Sequence, residues 1–300
     1  EVPVPVISVG NITMGGTGKT PVVAKISGKL LQAGFNPAIA TRGYKRKRSG
    51  TFIVDRENDN ASDVGDEALM LSKRTRLPVF VGKNRAQAIL KGINMYPVNV
   101  ALLDDGFQLR NLKKDMEILL IDSRGGSNTN LFPLGPCREE ADCIKKADII
   151  LTGNGRLNGI FSKYAVDKPV FGFRYKPMYL CNIKHNLTGH FNFMKGKNVL
   201  AFAGLGNNEA FFDFLKDLGA NVIYRVSYPD HYFYQKKDIK ALSGYKDADI
   251  LVTTEKDAVK INQKDAPDNL YYLTVEVEIE NEEEMMKMII ERLSSISLSA

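Results

Sequence analysis

The chain has 300 residues, 44% of them hydrophobic and 25% charged, with a formal charge of +6. That balance suits a globular chain with a sizeable core and room for two domains, and it excludes a disordered or low-complexity protein. No apolar stretch reaches the roughly 20 residues that a membrane-crossing helix needs, no signal peptide opens the chain, and the three cysteines show no C-x-x-C spacing, which argues against a disulfide framework or a cysteine zinc site. Cys137, Cys143 and Cys181 suit a reducing cytoplasm. Glu1 stands directly before an apolar run and is not a methionine, so a leading segment is expected to be missing.

The first predicted unit is a strand, a glycine loop and a helix. An apolar run ends at Val9, four glycines fall between Gly10 and Gly18, and Lys19-Thr20 open a segment with helical apolar spacing. Such a loop turns backbone N–H groups inward at a helix N-terminus and cradles phosphates. Gly15, Gly16, Thr17 and Gly18 are the expected cradle, Lys19 the β,γ-phosphate cation, and Thr20 the Mg²⁺ hydroxyl. The usual G-x-x-x-x-G-K-[ST] pattern asks for glycine where Thr13 stands, while the core G-G-T-G-K-T is intact. A glycine turn without a ligand is the plainer reading of the same residues.

Downstream, apolar runs at Ala38–Ala40, Val79–Val81, Val98–Leu103, Ile118–Ile121 and Ile149–Leu151 alternate with helical patterns. This rhythm predicts a parallel sheet covered on both faces, with ligands at the carboxyl ends of its strands. Arg42, Lys83 and Arg85, Asp104 and Asp105, and Asp122 each follow one of these runs. Basic residues concentrate in Arg42, Lys45, Arg46, Lys47 and Arg48, which fits an anionic partner or a solvated basic loop.

From Pro169 to Gly196, aromatic and polar residues alternate between turn signals, so residues 169–197 read as a β-hairpin linker. A second α/β pattern occupies 198–300, after a first domain at 1–168. It ends in a helix for which Asn281 is the expected N-cap and Glu282, Glu283 and Glu284 the acidic first turn. Gly204-Leu205-Gly206 reads as a tight turn, because Glu209 stands where a dinucleotide fingerprint needs glycine. Without an N-K-x-D run there is no sign of guanine selectivity, and adenine is the default.

Three groups of residues can carry chemistry. V-N-V-A-L-L-D-D-G puts Asp104 and Asp105 at a strand end, where a Walker-B aspartate reaches the Mg²⁺ held by Thr20. Asp63 and Asp66 precede a helical run, where capping is the plainer reading, and the alternative near a γ-phosphate is a general base. His231, beside Asp230, could face the cleft between the domains and assist that base, although a lone histidine is more often structural. Arg42, Lys83, Arg85, Arg110 and Arg138 are candidate phosphate clamps.

The motifs together resemble one family, the tetraacyldisaccharide 4′-kinases of lipid A biosynthesis. The matching blocks are the loop itself, R-G-Y at 42–44, V-G-D-E at 64–67, G-K-N-R at 82–85, L-D-D-G-F-Q at 103–108, P-L-G-P-C-R-E at 133–139, P-D-H at 229–231 and T-T-E-K-D-A-V-K at 253–260. Thr13 belongs to the family pattern. The resemblance implies an α/β fold: a P-loop NTPase-type parallel-sheet domain plus a second, smaller α/β domain, joined by a β-hairpin. It also implies ATP- and Mg²⁺-dependent phosphorylation of the 4′-hydroxyl of tetraacyldisaccharide 1-phosphate at the cytoplasmic face of the inner membrane. The enzyme would touch that surface peripherally, with no nucleic acid and no obligate protein partner.

Carried over residue by residue, the resemblance makes Asp66 the base and His231 its partner, Lys19 and Thr20 the phosphate-loop pair, and Asp104 and Asp105 the metal-proximal pair. Arg42, Arg85, Gln108 and Arg138 fall around phosphates or substrate. Leu109 and Tyr232 replace histidines of the family pattern. The rival readings are a P-loop switch ATPase of the partition or metallochaperone type and a basic surface-binding module with a vestigial nucleotide site.

Overall fold

The computed structural model describes residues 1–13, 18–121, 129–153, 155–157 and 159–297. In chain order these form β1 (Val6–Asn11), α1 (Lys19–Gln32), β2 (Pro37–Thr41), β3 (Phe52–Ile53), α2 (Ala61–Val64), α3 (Asp66–Thr75), β4 (Val79–Val81), α4 (Arg85–Ile93), β5 (Val100–Asp104), β6 (Met116–Ile121) and β7 (Ile149–Thr152). There follow α5 (Ile160–Tyr164), β8 (Val170–Asn182), β9 (Thr188–His190), β10 (Asn198–Ala203), α6 (Asn208–Asp217), β11 (Asn221–Ser227), α7 (Lys236–Leu242), β12 (Ile250–Thr254), α8 (Glu255–Ala258), β13 (Leu270–Ile279) and α9 (Glu282–Ser297).

The strands join in one sheet of order β11-β10-β12-β13-β8-β7-β6-β1-β5-β2-β4-β3, with β9 paired to β8. β1 lies between β5 and β6, parallel to both. Both β1 and β5 are buried along their whole length, as expected of strands covered on two faces. At the far end β11 alternates between exposed and half-buried residues, the pattern of an edge strand.

β8 joins the two halves. Its start runs parallel to β7 at Val170–Gly172, its remainder runs antiparallel to β13, and its end pairs with β9 as the expected hairpin. The segment read as a linker is therefore also a shared strand of the sheet. Alternating aromatic and polar residues announce a strand but do not say which strand lies on either edge.

On one face of the first lobe, α1 (Val22, Val23, Ile26, Leu30), α3 (Leu69, Leu71) and α9 (Met285, Ile289, Leu293) pack on Ile7, Val9, Leu102 and Ile118. On the opposite face, α4 packs on β2 and β5, and α5 packs on β6 and β7. In the second lobe α6 and α7 cover opposite faces of β10 and β12. The last helix of residues 198–300 thus finds its core partners in the first lobe. Glu282 makes ion pairs with Lys25 at 2.9 Å and with Lys29, both on α1. Its role extends beyond the expected helix-start chemistry. Asn281 takes a left-handed backbone (φ 51°), and its carbonyl accepts the Met285 N–H at 3.2 Å.

Candidate active site

Four strand ends of the first lobe meet at one edge of the sheet, and each delivers a polar group there. β1 ends at Asn11, β2 leads into Arg42-Gly43-Tyr44, β4 into Gly82–Arg85, and β5 ends at Asp104. Gly15, Gly16 and Thr17 of the predicted cradle lie outside the described residues, as does Asp122. Gly18, which opens α1, has φ 86°, a left-handed backbone that strains any side chain, and a Cβ there would also run into the Tyr175 hydroxyl, so the turn favours glycine. The first amides of α1 have no acceptor inside the helix, which leaves its N-terminus suited to an anion.

One network surrounds the start of α1. Lys19 Nζ donates to Asn11 Oδ1 at 3.0 Å and lies 3.5 Å from Asp105. Arg138 places Nη1 2.9 Å from one Asp105 oxygen and 3.0 Å from the other, and its backbone N–H donates to the Ile12 carbonyl. Gln108 donates to the Asn11 carbonyl at 2.8 Å. Burial alone would push the Asp105 carboxyl up, but Lys19 and Arg138 outweigh it and hold the group below its ordinary range.

Asp104 behaves oppositely. It is buried, its Oδ1 has no hydrogen-bond partner among the described residues, and burial together with the nearby charges of Glu67 and Asp105 pushes it up to about 8. The two aspartates read as a metal-proximal pair are therefore divided: Asp105 is tied to two cations, while Asp104 has an oxygen free and excess negative charge around it.

The second network crosses between the lobes. Gly65 has φ 97°, and a Cβ added there would stand 3.1 Å from the Gly43 Cα, so the R-G-Y loop lies close against the start of α3. Asp66 is the first residue of α3, buried, and does not cap a helix: Asn60 caps α2, and Gly65 precedes α3. His231 Nδ1 lies 2.8 Å and 3.0 Å from the two Asp66 oxygens. His231 itself sits in a left-handed backbone (φ 60°), against the Tyr44 ring at 4.9 Å. Such backbone strain in a non-glycine residue persists only where the surroundings hold it. Burial raises the Asp66 carboxyl, and the His231 hydrogen bond with the charges of Lys256, His231 and Lys260 more than offsets this, leaving it below the usual carboxylate range.

Arg85 is buried and turned back on its own loop, donating to the carbonyls of Gly82 at 3.2 Å and Lys83 at 3.0 Å. Burial and the neighbouring Arg42 lower its pKa. Arg42 is exposed and lines a cavity of about 680 Å³ with Lys47, Lys83 and Tyr44. The two positions that depart from the family pattern have structural surroundings: Leu109 packs on the β2–β5 core, and Tyr232 donates to Asp238 at 3.1 Å within a cluster of tyrosines.

A family described as "LpxK: Tetraacyldisaccharide-1-P 4′-kinase" matches residues 1–294. The chain belongs to the tetraacyldisaccharide 4′-kinase family. A tetraacyldisaccharide 4′-kinase of Shewanella frigidimarina is 37% identical over 281 residues, covering 93% of this chain and 79% of its own length. One of Ruthia magnifica is 35% identical over 280 residues, covering 93% of this chain and 84% of its own. A crystal structure described as the "apo" form of LpxK from Aquifex aeolicus in complex with ATP superposes with a TM-score of 0.79 at 32% identity, covering 97% of this chain and 89% of that one. As a tetraacyldisaccharide 4′-kinase the protein is a phosphotransferase of lipid A biosynthesis, acting on a lipid disaccharide 1-phosphate.

For this kinase, sequence reasoning missed Asn11, Glu67, Lys256 and Lys260. Lys256 and Lys260 stand four apart in T-T-E-K-D-A-V-K, and that spacing on a helical turn was the available signal. Lys256 pairs with Glu67 and with Asp230, both at 3.2 Å, and Lys260 lies 3.8 Å from Asp66.

Proposed function

We propose that this kinase transfers the γ-phosphoryl group of ATP in line to the 4′-hydroxyl, with Asp66 accepting the hydroxyl proton and His231 holding Asp66 in place. The observation that carries this reading is the buried Asp66–His231 pair, joined across the lobes beside the start of α1 with Lys19 and the end of β5 with Asp104 and Asp105. Lys19 and the first turn of α1 hold the phosphates, and Arg138 keeps Asp105 fixed while Lys19 is redirected to phosphate. Arg42 and Lys83, exposed on a cavity they share with Tyr44, face the acceptor's anionic groups, and Gln108 keeps the loop after β1 in shape. Arg85 supports the loop after β4 and adds positive potential to the phosphate region.

Mg²⁺ fits this donor set. The free Oδ1 of Asp104 and the raised Asp104 carboxyl mark a place short of positive charge. Thr20 and Asp104 would hold the ion, which would neutralise phosphate charge during transfer.

No helix among the described residues is long and apolar enough to cross a membrane. Peripheral contact with the cytoplasmic face of the inner membrane is supported by an exposed apolar loop, with Phe132 65% and Leu134 84% exposed, and by the basic segment Lys45–Arg48. Co-sedimentation with anionic vesicles tests this contact, and absence of pelleting would count against it. Transfer of label from γ-labelled ATP to the lipid tests the reaction itself.

A further inference from the structure

Among the described residues, Lys256 is the one cation in contact with His231, and the scheme above leaves it without a task. It stands in the first turn of α8, and its ammonium lies 3.2 Å from Glu67 Oε1, 3.2 Å from Asp230 Oδ1 and 3.3 Å from His231 Nε2. Resting on the reading of Asp66 as the base, we propose that Lys256 is a positioning residue that fixes the tautomer of His231, so that the ring proton is on Nδ1 and is given to Asp66.

His231 lies between two carboxylates that compete for its ring proton. Asp66 faces Nδ1 at 2.8 Å, and Asp230 faces Nε2 at 3.6 Å. A proton on Nδ1 serves Asp66, whereas a proton on Nε2 would serve Asp230 and would turn a nitrogen lone pair toward the Asp66 carboxylate. Lys256 decides between them. An ammonium offers three donors and no acceptor, so the Nε2 that faces it must be the unprotonated nitrogen. The same ammonium neutralises Asp230, and it opposes a second positive charge on the ring.

The other groups around the pair do not make this choice. The Tyr44 ring packs on His231, Lys45 donates to the Asp230 carbonyl at 3.0 Å, and Lys260 lies near Asp66 but pairs at 2.8 Å with Asp257. Glu67 anchors Lys256 from the first-lobe side. The direction of the Lys256 shift agrees: burial lowers its pKa, but Glu67, Asp66 and Asp230 outweigh it and keep it a cation.

The direct test is ¹⁵N NMR of the histidine side chains in the full chain, with His231→Asn identifying the His231 signals among the three histidines. Nδ1 should be protonated and Nε2 pyridine-like in the wild type, and Lys256→Met should move the proton to Nε2 or leave both nitrogens protonated. In turnover assays Lys256→Met should lower kcat by about 10- to 100-fold with KM for the lipid little changed. Its acid limb should move to higher pH, because Asp66 loses a cation, and Lys256→Arg should restore the wild-type profile. A wild-type His231 already protonated on Nε2 overturns the proposal even if Lys256→Met does not fold. So does a folded Lys256→Met enzyme with an unchanged tautomer and pH profile. The tautomer is read without turnover, so it stands or falls separately from the base assignment, which Asp66→Asn tests.

Discussion

His231 Nδ1 stands 2.8 Å from an Asp66 carboxylate oxygen across 165 residues of chain, from the loop after the edge strand β11 to the first turn of α3. Taken alone, one is an aspartate at a helix start and the other a histidine in a tyrosine-rich turn. The contact between the lobes makes them a pair, with Lys256, Lys260 and Glu67 closing around it.

The pH dependence follows from the lowered Asp66 carboxyl. A carboxylate whose folded pKa lies below its unfolded value adds stability that is present above the unfolded value, about 3.9, and is lost as pH falls through the folded one. Thermal unfolding of wild type and Asp66→Asn should therefore differ at pH 6 and converge below about pH 4. A difference that stays constant down to pH 3 would mean that the charge of Asp66 contributes no stability.

Lys19→Met removes the cation that Asn11 and Asp105 hold at the start of α1. Turnover should fall about 100-fold or more, the scale of losing one preorganised charge-stabilising donor. Steady-state kinetics with varied ATP checks this, and near wild-type turnover would remove Lys19 from the phosphate site.

The division between Asp104 and Asp105 is open to a metal titration. Asp104→Asn should raise the Mg²⁺ concentration needed for half-maximal activity, while Asp105→Asn should mainly loosen the Lys19–Arg138 network and lower kcat at saturating Mg²⁺. The reverse pattern would exchange the two assignments.

Ile289 of α9 is fully buried in the same core as Ile7 and Val9 of β1. Ile289→Ala should cost about 2–5 kcal/mol. Denaturant unfolding followed by a probe in the first lobe should record that loss, and a loss confined to the second lobe would contradict the packing of α9.

Much of this was readable in the sequence, for identifiable reasons. The strands at Val79–Val81 and Ile118–Ile121 are continuous apolar runs because both sheet faces are covered, and such runs mark themselves. Lys19, Asp104 and Asp105 stand next to such runs or the glycine loop, so position alone singled them out. Read alone, an aspartate before a helix reads first as a cap; the resemblance turned Asp66 toward the base, and its burial against His231 is the structural observation that favours that reading. Lys256 and Glu67 were missed because their significance is a contact between residues 189 apart. The packing of α9 on α1 was hidden for the same reason: an amphipathic pattern shows that a helix has a buried face, but not what buries it.

The most direct test of the central claim is to give wild-type and Asp66→Asn enzymes γ-labelled ATP, Mg²⁺ and detergent-dispersed tetraacyldisaccharide 1-phosphate, and to measure label in the lipid. Wild type should label the 4′ position, and Asp66→Asn, folded to the same extent, should do so about 10²- to 10⁴-fold more slowly. Labelling by Asp66→Asn at close to the wild-type rate would contradict the assignment of Asp66 as the base.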